Sequence, residues 1–118
     1  MKKKKHARNA AAIVDIAIRA IEDLKGKDIT RLDVAPLTDV ADVMVIAGGT
    51  SARHVRSIAD NVVEQAREQC VRALSVEGKD AGEWILVDFG DVLVHVMGDE
   101  ARKFYSLEKL WTAHPATA

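Results

Sequence analysis

The string Gly48-Gly49-Thr50-Ser51 follows the apolar stretch Val43-Met44-Val45-Ile46-Ala47 and precedes a segment with helical periodicity. A junction of that kind presents unpaired backbone N–H groups beside two hydroxyls, the ingredients of a phosphate site. Gly49, Thr50, Ser51 and Arg53 are the candidate phosphate ligands, with Gly48 completing the turn and His54 and Arg56 adding cationic character nearby. The string lacks the lysine of a phosphate-binding loop and the glycine spacing of a dinucleotide fingerprint. A tight turn followed by a helix cap, with the arginines on a solvated face, accounts for the same residues more simply.

A glycine- and serine-containing turn followed by acids on later strands is also the layout of nucleotidyltransferases, which hold Mg²⁺ with carboxylates at alternate positions of one strand. Asp88 stands alone on its strand and Asp91 falls in a turn, so the expected second carboxylate is missing. Zinc needs about four nitrogen or sulfur ligands, and Cys70, His6, His54, His95 and His114 show no paired spacing, so no metal is expected. Ser51 has no Gly-x-Ser-x-Gly setting and Cys70 has no identifiable histidine partner, which leaves nucleophilic catalysis without support. No catalytic residue and no cofactor are assigned. A nucleotide-binding or metal-dependent nucleotidyltransferase enzyme built on Gly48, Gly49, Ser51 and nearby acids stays the rival reading, to be discriminated by titration with ATP and Mg²⁺.

A different chemistry is written further along. Residues 77–100 contain Glu77, Asp80, Glu83, Asp88, Asp91, Asp99 and Glu100 against the single base Lys79, although the whole chain has a formal net charge of only -1. Such a stretch suits a basic partner, or is the solvated face of an acidic half. Trp84–Phe89 and Val92–Met97 read as two strands around the two-residue turn Gly90-Asp91. That turn pairs Phe89 with Val92, Asp88 with Leu93, Val87 with Val94, Leu86 with His95, Ile85 with Val96 and Trp84 with Met97. One face is then wholly apolar and belongs under helices. The other carries Trp84, Leu86, Asp88, Leu93, His95 and Met97, a mixture better suited to a docking surface than to a dry core. With Glu77, Asp80 and Glu83 of the preceding loop, these residues form the candidate partner-binding set. The plainer alternative is a packed tryptophan beside a satisfied structural histidine.

The elements that position these residues follow from periodicity. Residues 1–8 read as a basic flexible tail. From an N-cap at Asn9, Ile13, Ile16, Ala17, Ala20, Ile21 and Leu24 form one stripe of a helix that Gly26 stops. A short strand over residues 28–34 ends before Pro36, and residues 42–47 have the continuous apolarity of a central strand. Thr50 or Ser51 caps a second helix buried through Val55, Ile58, Ala59, Val62 and Ala66. A strand near residues 73–76 leads into the charged, glycine-containing loop 77–83, and a last helix starts near Asp99 and carries Phe104 and Tyr105 to the core. Leu107, Leu110 and Trp111 pack after it, and residues 112–118 read as a frayed tail.

Length and composition bound the answer. A chain of 118 residues with 48% apolar content fits one α/β domain and has no room for a second. Cys70 is the single cysteine, which excludes an internal disulfide. No apolar run approaches the roughly 18 residues of a membrane span. Lys2–Lys5 would start a signal peptide, but Arg8, Asn9 and Asp15 spoil the apolar region that must follow, so a cytoplasmic location is expected.

The strings Gly49-Thr50-Ser51-Ala52-Arg53-His54-Val55, Ala59-Asp60-Asn61-Val62, Trp84-Ile85-Leu86-Val87-Asp88, Gly90-Asp91-Val92-Leu93-Val94-His95-Val96-Met97 and Phe104-Tyr105-Ser106-Leu107-Glu108-Lys109-Leu110-Trp111 closely resemble the Iojap-like ribosomal silencing factors. The resemblance spans residues 9–111. It implies a single-domain mixed sheet of about five strands flanked by helices, similar to nucleotidyltransferases but without their catalytic acids. It further implies a non-enzymatic protein that binds the large ribosomal subunit through that subunit's fourteenth protein, at the intersubunit face. There it sterically blocks the small subunit and represses translation when nutrients are scarce. An unoccupied apolar docking face is also expected to pair the free protein as a homodimer. Gly48, where relatives often carry Ser or Thr, and the run Lys2–Lys5, whose one functional reading is contact with ribosomal RNA, depart from the family pattern.

Overall fold

Alternating apolar residues build a five-stranded sheet, and helical stripes cover one of its faces. The structure is a computed structural model that describes the backbone of residues 2–105 and the side chains of residues 10–103. The elements run α1 (Lys2–Asp23), β1 (Lys27–Asp33), β2 (Val43–Gly49), α2 (Ala52–Glu68), β3 (Ser75–Glu77), β4 (Trp84–Asp88), β5 (Val92–Gly98) and α3 (Asp99–Tyr105). The spatial order is β1-β2-β5-β4-β3. β2 and β5 pair in parallel and the other neighbours antiparallel, which gives the mixed sheet expected for an α/β domain. Leu107, Leu110, Trp111 and residues 112–118 lie outside the described residues, as do the side chains of Phe104 and Tyr105.

The helix expected from Asn9 begins instead at Lys2, so the segment expected as a flexible tail continues α1. Its other end closes with the hydrogen bonds Gly26 N–H to Ile21 O and Lys25 N–H to Glu22 O, both 2.9 Å. This is the paired bonding that ends many helices, but Lys25 (φ 61°) and not Gly26 takes the left-handed turn. Cys70 (φ 64°) plays the same part at the end of α2, where Val71 N–H reaches Ala66 O at 2.8 Å.

Val55, Ile58, Ala59, Val62 and Ala66 are the buried residues of α2, as its periodicity predicts. With Ile13, Val14, Ala17 and Ile21 of α1 they pack on Val43, Val45, Ala47, Ile85, Val87, Val92, Val94 and Val96 of the sheet. β2 is buried along its whole length because it is central and covered on both faces. A second, smaller apolar cluster lies on the other face: Leu32, Val34, Ala41, Met44, Ile46, Leu93 and Met97, bordered by Trp84, Leu86 and Ala101. Arg102 of α3 reaches across to β1, donating to Lys27 O, Asp28 O and Thr30 Oγ1 at 3.2, 2.6 and 3.2 Å, where that strand's register shifts.

Candidate functional site

At the end of β2 the chain turns through Thr50 and Ser51 into α2, and two backbone donors of this junction, on Thr50 and His54, are engaged within the protein. Ser51 Oγ accepts the His54 N–H at 3.0 Å as N-cap. The Thr50 N–H donates to His54 Nδ1 at 2.9 Å, which leaves the imidazole proton on Nε2 for the 2.7 Å bond to Leu24 O. His54 thus staples the start of α2 to the end of α1. Arg53 is exposed. Arg56 donates to Lys79 O and Asp80 O at 3.4 and 3.3 Å and ties down the acidic loop. Thr50 and Ser51 do line a cleft of about 630 Å³, but its other polar walls are Glu83, Asp99 and Glu100. Three carboxylates repel an anion, and this lining disfavours a phosphate beside Gly49, Thr50, Ser51 and Arg53.

The carboxylates that a nucleotidyltransferase would need are also dispersed. Asp88 pairs with Leu93, whereas the turn leaves β2 opposite Gly98. The length of β5 from Leu93 to Gly98 separates them, about 16 Å at the rise of a strand. One Asp88 oxygen is taken by the Gly90 N–H at 2.7 Å, which fixes the hairpin turn. Among the described residues no group of three or more His, Cys, Asp or Glu is placed to hold a metal ion.

The hairpin has the register that its two-residue turn predicts: Trp84 opposite Met97, Ile85 opposite Val96, Leu86 opposite His95, Val87 opposite Val94 and Asp88 opposite Leu93. Phe89 N–H closes the turn on Val92 O at 2.9 Å. Of the candidate docking residues, Trp84, Leu86 and Asp88 on β4 are half-buried, and Glu77, Asp80 and Glu83 are exposed. Leu93, His95 and Met97 on β5 are 8%, 6% and 0% exposed, so they support the face from beneath and offer no contact surface themselves. The difference is positional. β5 lies between β2 and β4, where the smaller apolar cluster covers it, while β4 lies nearer the sheet edge, shielded only by the three residues of β3.

Trp84 and His95 form one unit. The indole Nε1–H donates to His95 Nδ1 at 2.9 Å, with the ring centroids 5.8 Å apart. Their bond joins diagonal neighbours across the hairpin, a contact that the register of directly opposite pairs does not display. The loop before Trp84 is also held: besides the Arg56 bonds, Lys79 Nζ meets Asp60 Oδ1 at 2.9 Å, and Gly98 N–H reaches Glu83 O at 2.9 Å.

Burial lowers the His95 pKa from 6.5 to about 4. Between those values the unfolded chain binds a proton that the folded chain does not, so stability rises with pH. This contribution is fully present above pH 6.5 and is lost as pH falls through that value toward about 4. Chemical denaturation across that window is expected to show a slope of up to about 1.4 kcal/mol per pH unit from this residue. His95→Leu should remove that component, and an unchanged slope in the variant would assign it elsewhere.

The sequence and the fold are similar to those of known proteins. A family profile described as "ribosomal silencing factor during starvation" matches residues 6–118. A ribosomal silencing factor of Chromobacterium violaceum is 46% identical over 99 residues, covering 84% of this chain and 81% of that protein. "Mitochondrial assembly of ribosomal large subunit protein 1" of Mus musculus is 35% identical over 102 residues, 84% of this chain and 45% of that longer protein. A crystal structure of a Chromobacterium violaceum protein superposes with a TM-score of 0.85 at 44% identity, covering 86% of this chain and 85% of that one. With the profile spanning nearly the whole fold and the sheet superposing on that solved structure, the chain belongs to the ribosomal silencing factor family.

Proposed function

We propose that this protein binds the large ribosomal subunit through its fourteenth protein, at the intersubunit face, and sterically keeps the small subunit from joining, so that translation falls under nutrient limitation. The observation that carries the reading is the surface around Trp84. A half-buried indole and Leu86 sit beside a tethered loop that exposes Glu77, Asp80 and Glu83, an aromatic centre with an acidic rim suited to a basic protein. Family membership supplies the ribosome, and the name of the mouse relative points to the large subunit. Blocking of this kind needs occupancy alone, so the protein acts without catalysis, in the cytoplasm where ribosomes join.

Co-sedimentation tests the reading. The purified chain is expected to pellet with large subunits and not with small ones, and equal binding to both would refute it. Reversing Glu77, Asp80 and Glu83 to lysine should slow association with large subunits by about tenfold at low salt and flatten the salt dependence, because rim charges act mainly on encounter. Stability should change little, since all three side chains are exposed. Nucleoside triphosphate turnover that is lost on Asp88→Ala would instead favour the enzyme reading.

A further inference from the structure

His95 is the one buried polar residue among the described side chains, and half of its imidazole is unused. Nδ1 accepts the Trp84 indole N–H at 2.9 Å, so in the neutral ring the proton resides on Nε2. That Nε2 is buried and has no hydrogen-bond partner. An orphaned buried donor is unfavourable, and a leucine of similar size would fill the space without one. What leucine would not supply is an acceptor for Trp84. The groups facing His95 offer no second role for it: its register partners are Ile46 on β2 and Leu86 on β4, and Leu93 and Met97 flank it on its own strand. From α3, Ala101 borders the same apolar cluster, and Arg102 directs its guanidinium to Lys27, Asp28 and Thr30. Among the described residues no titratable side chain pairs with the imidazole.

We propose that His95 is the positioning residue of the docking surface: as a neutral, Nε2-protonated imidazole it holds the Trp84 indole by its N–H and fixes that ring for the partner. Protonating Nδ1 removes the acceptor that His95 offers the indole and places a cation in apolar surroundings, so acidification releases the indole from His95 and weakens docking before the whole domain unfolds. The inference rests on the docking role proposed for Trp84.

The test combines three variants with one spectroscopic signal. His95→Leu deletes the acceptor, His95→Asn restores an oxygen near the position of Nδ1, and Trp84→Phe keeps an aromatic ring but has no N–H to hold. Binding to purified bacterial large subunits is expected to weaken about fivefold in His95→Leu, the worth of one neutral hydrogen bond, and to return to within about twofold in His95→Asn. In a Trp84→Phe background, His95→Leu should add nothing. The His95→Leu melting temperature should equal or exceed that of the parent, which a merely structural histidine would not allow. In the full chain carrying Trp111→Phe, the ¹H–¹⁵N indole signal of Trp84 should exchange slowly with solvent at neutral pH and lose that protection as pH falls toward 4. Rapid exchange at neutral pH would overturn the proposal even if His95→Leu failed to fold. Parental binding by folded His95→Leu, with Trp84→Ala weakened at least tenfold, would also overturn it while leaving the docking reading intact. Parental binding by Trp84→Ala would remove the docking reading itself.

Discussion

Trp84→Ala is expected to weaken binding to large ribosomal subunits at least tenfold while leaving a folded domain. A tryptophan at the desolvated centre of an interface commonly costs about 2 kcal/mol or more on truncation, and each 1.4 kcal/mol is about tenfold in affinity. The fold should survive because Trp84 is half-buried and borders the smaller apolar cluster, whereas the main core is sealed by fully buried residues such as Ile58, Ile85 and Val94. Loss of its inner contacts should still lower the melting temperature, at roughly 4 °C per kcal/mol for a domain of this size. The competing view treats Trp84 as packing alone. It predicts a sharp fall in melting temperature in Trp84→Ala together with normal large-subunit binding by the Glu77, Asp80 and Glu83 reversals. Melting and binding measured on both sets separate the two accounts, and that second pattern would remove this face from the mechanism.

Gly78→Ala should be the most damaging single methyl group in the proposed docking region. Gly78 has φ +92°, and a Cβ there would lie 2.1 Å from the carbonyl oxygen of Trp84 and 3.2 Å from its carbonyl carbon. These are main-chain atoms of β4 and cannot rotate away as a side chain could. The backbone conformation alone costs about 1–3 kcal/mol for a residue with a Cβ, and relief of the overlap must move the acidic loop off β4. A loss of about 2–4 kcal/mol in stability is expected, accompanied by weaker large-subunit binding because Glu77, Asp80 and Glu83 move with the loop. Gly90→Ala is the internal control. It has a similar φ of +93°, but its Cβ would meet only Leu74 Cδ1, at 3.4 Å, so the conformational cost of about 1–2 kcal/mol stands alone and binding is unaffected. Equal losses in the two variants would mean that the approach of Gly78 to Trp84 does not matter.

What the sequence made legible was local. The two-residue gap between Phe89 and Val92 sets the hairpin register residue by residue, and the stripe of α2 is read from a period of 3.6 without knowing what it packs against. The burial of Leu93, His95 and Met97 was not legible, because it depends on β5 lying between β2 and β4 and on a cluster built from Leu32, Val34, Ala41 and Met44, far away in the chain. The same holds for His54 and Arg56. Their polar side chains suggest ligands, yet their partners are the backbone oxygens of Leu24, Lys79 and Asp80, which only tertiary structure brings near. One signal for such a role was available: Asn61, a weak helix former in the middle of α2, donates to Ala20 O at 2.9 Å and ties the two helices together.

The account stands on occupancy of the joining surface. Its most direct test is reassociation of purified small and large subunits in the presence of the protein, followed by sucrose-gradient separation. Preincubation of large subunits with excess protein is expected to reduce the joined fraction in proportion to the protein retained on large subunits, and Trp84→Ala should restore joining at the same concentration. Joined ribosomes that form to the normal extent while carrying the bound protein would contradict the account.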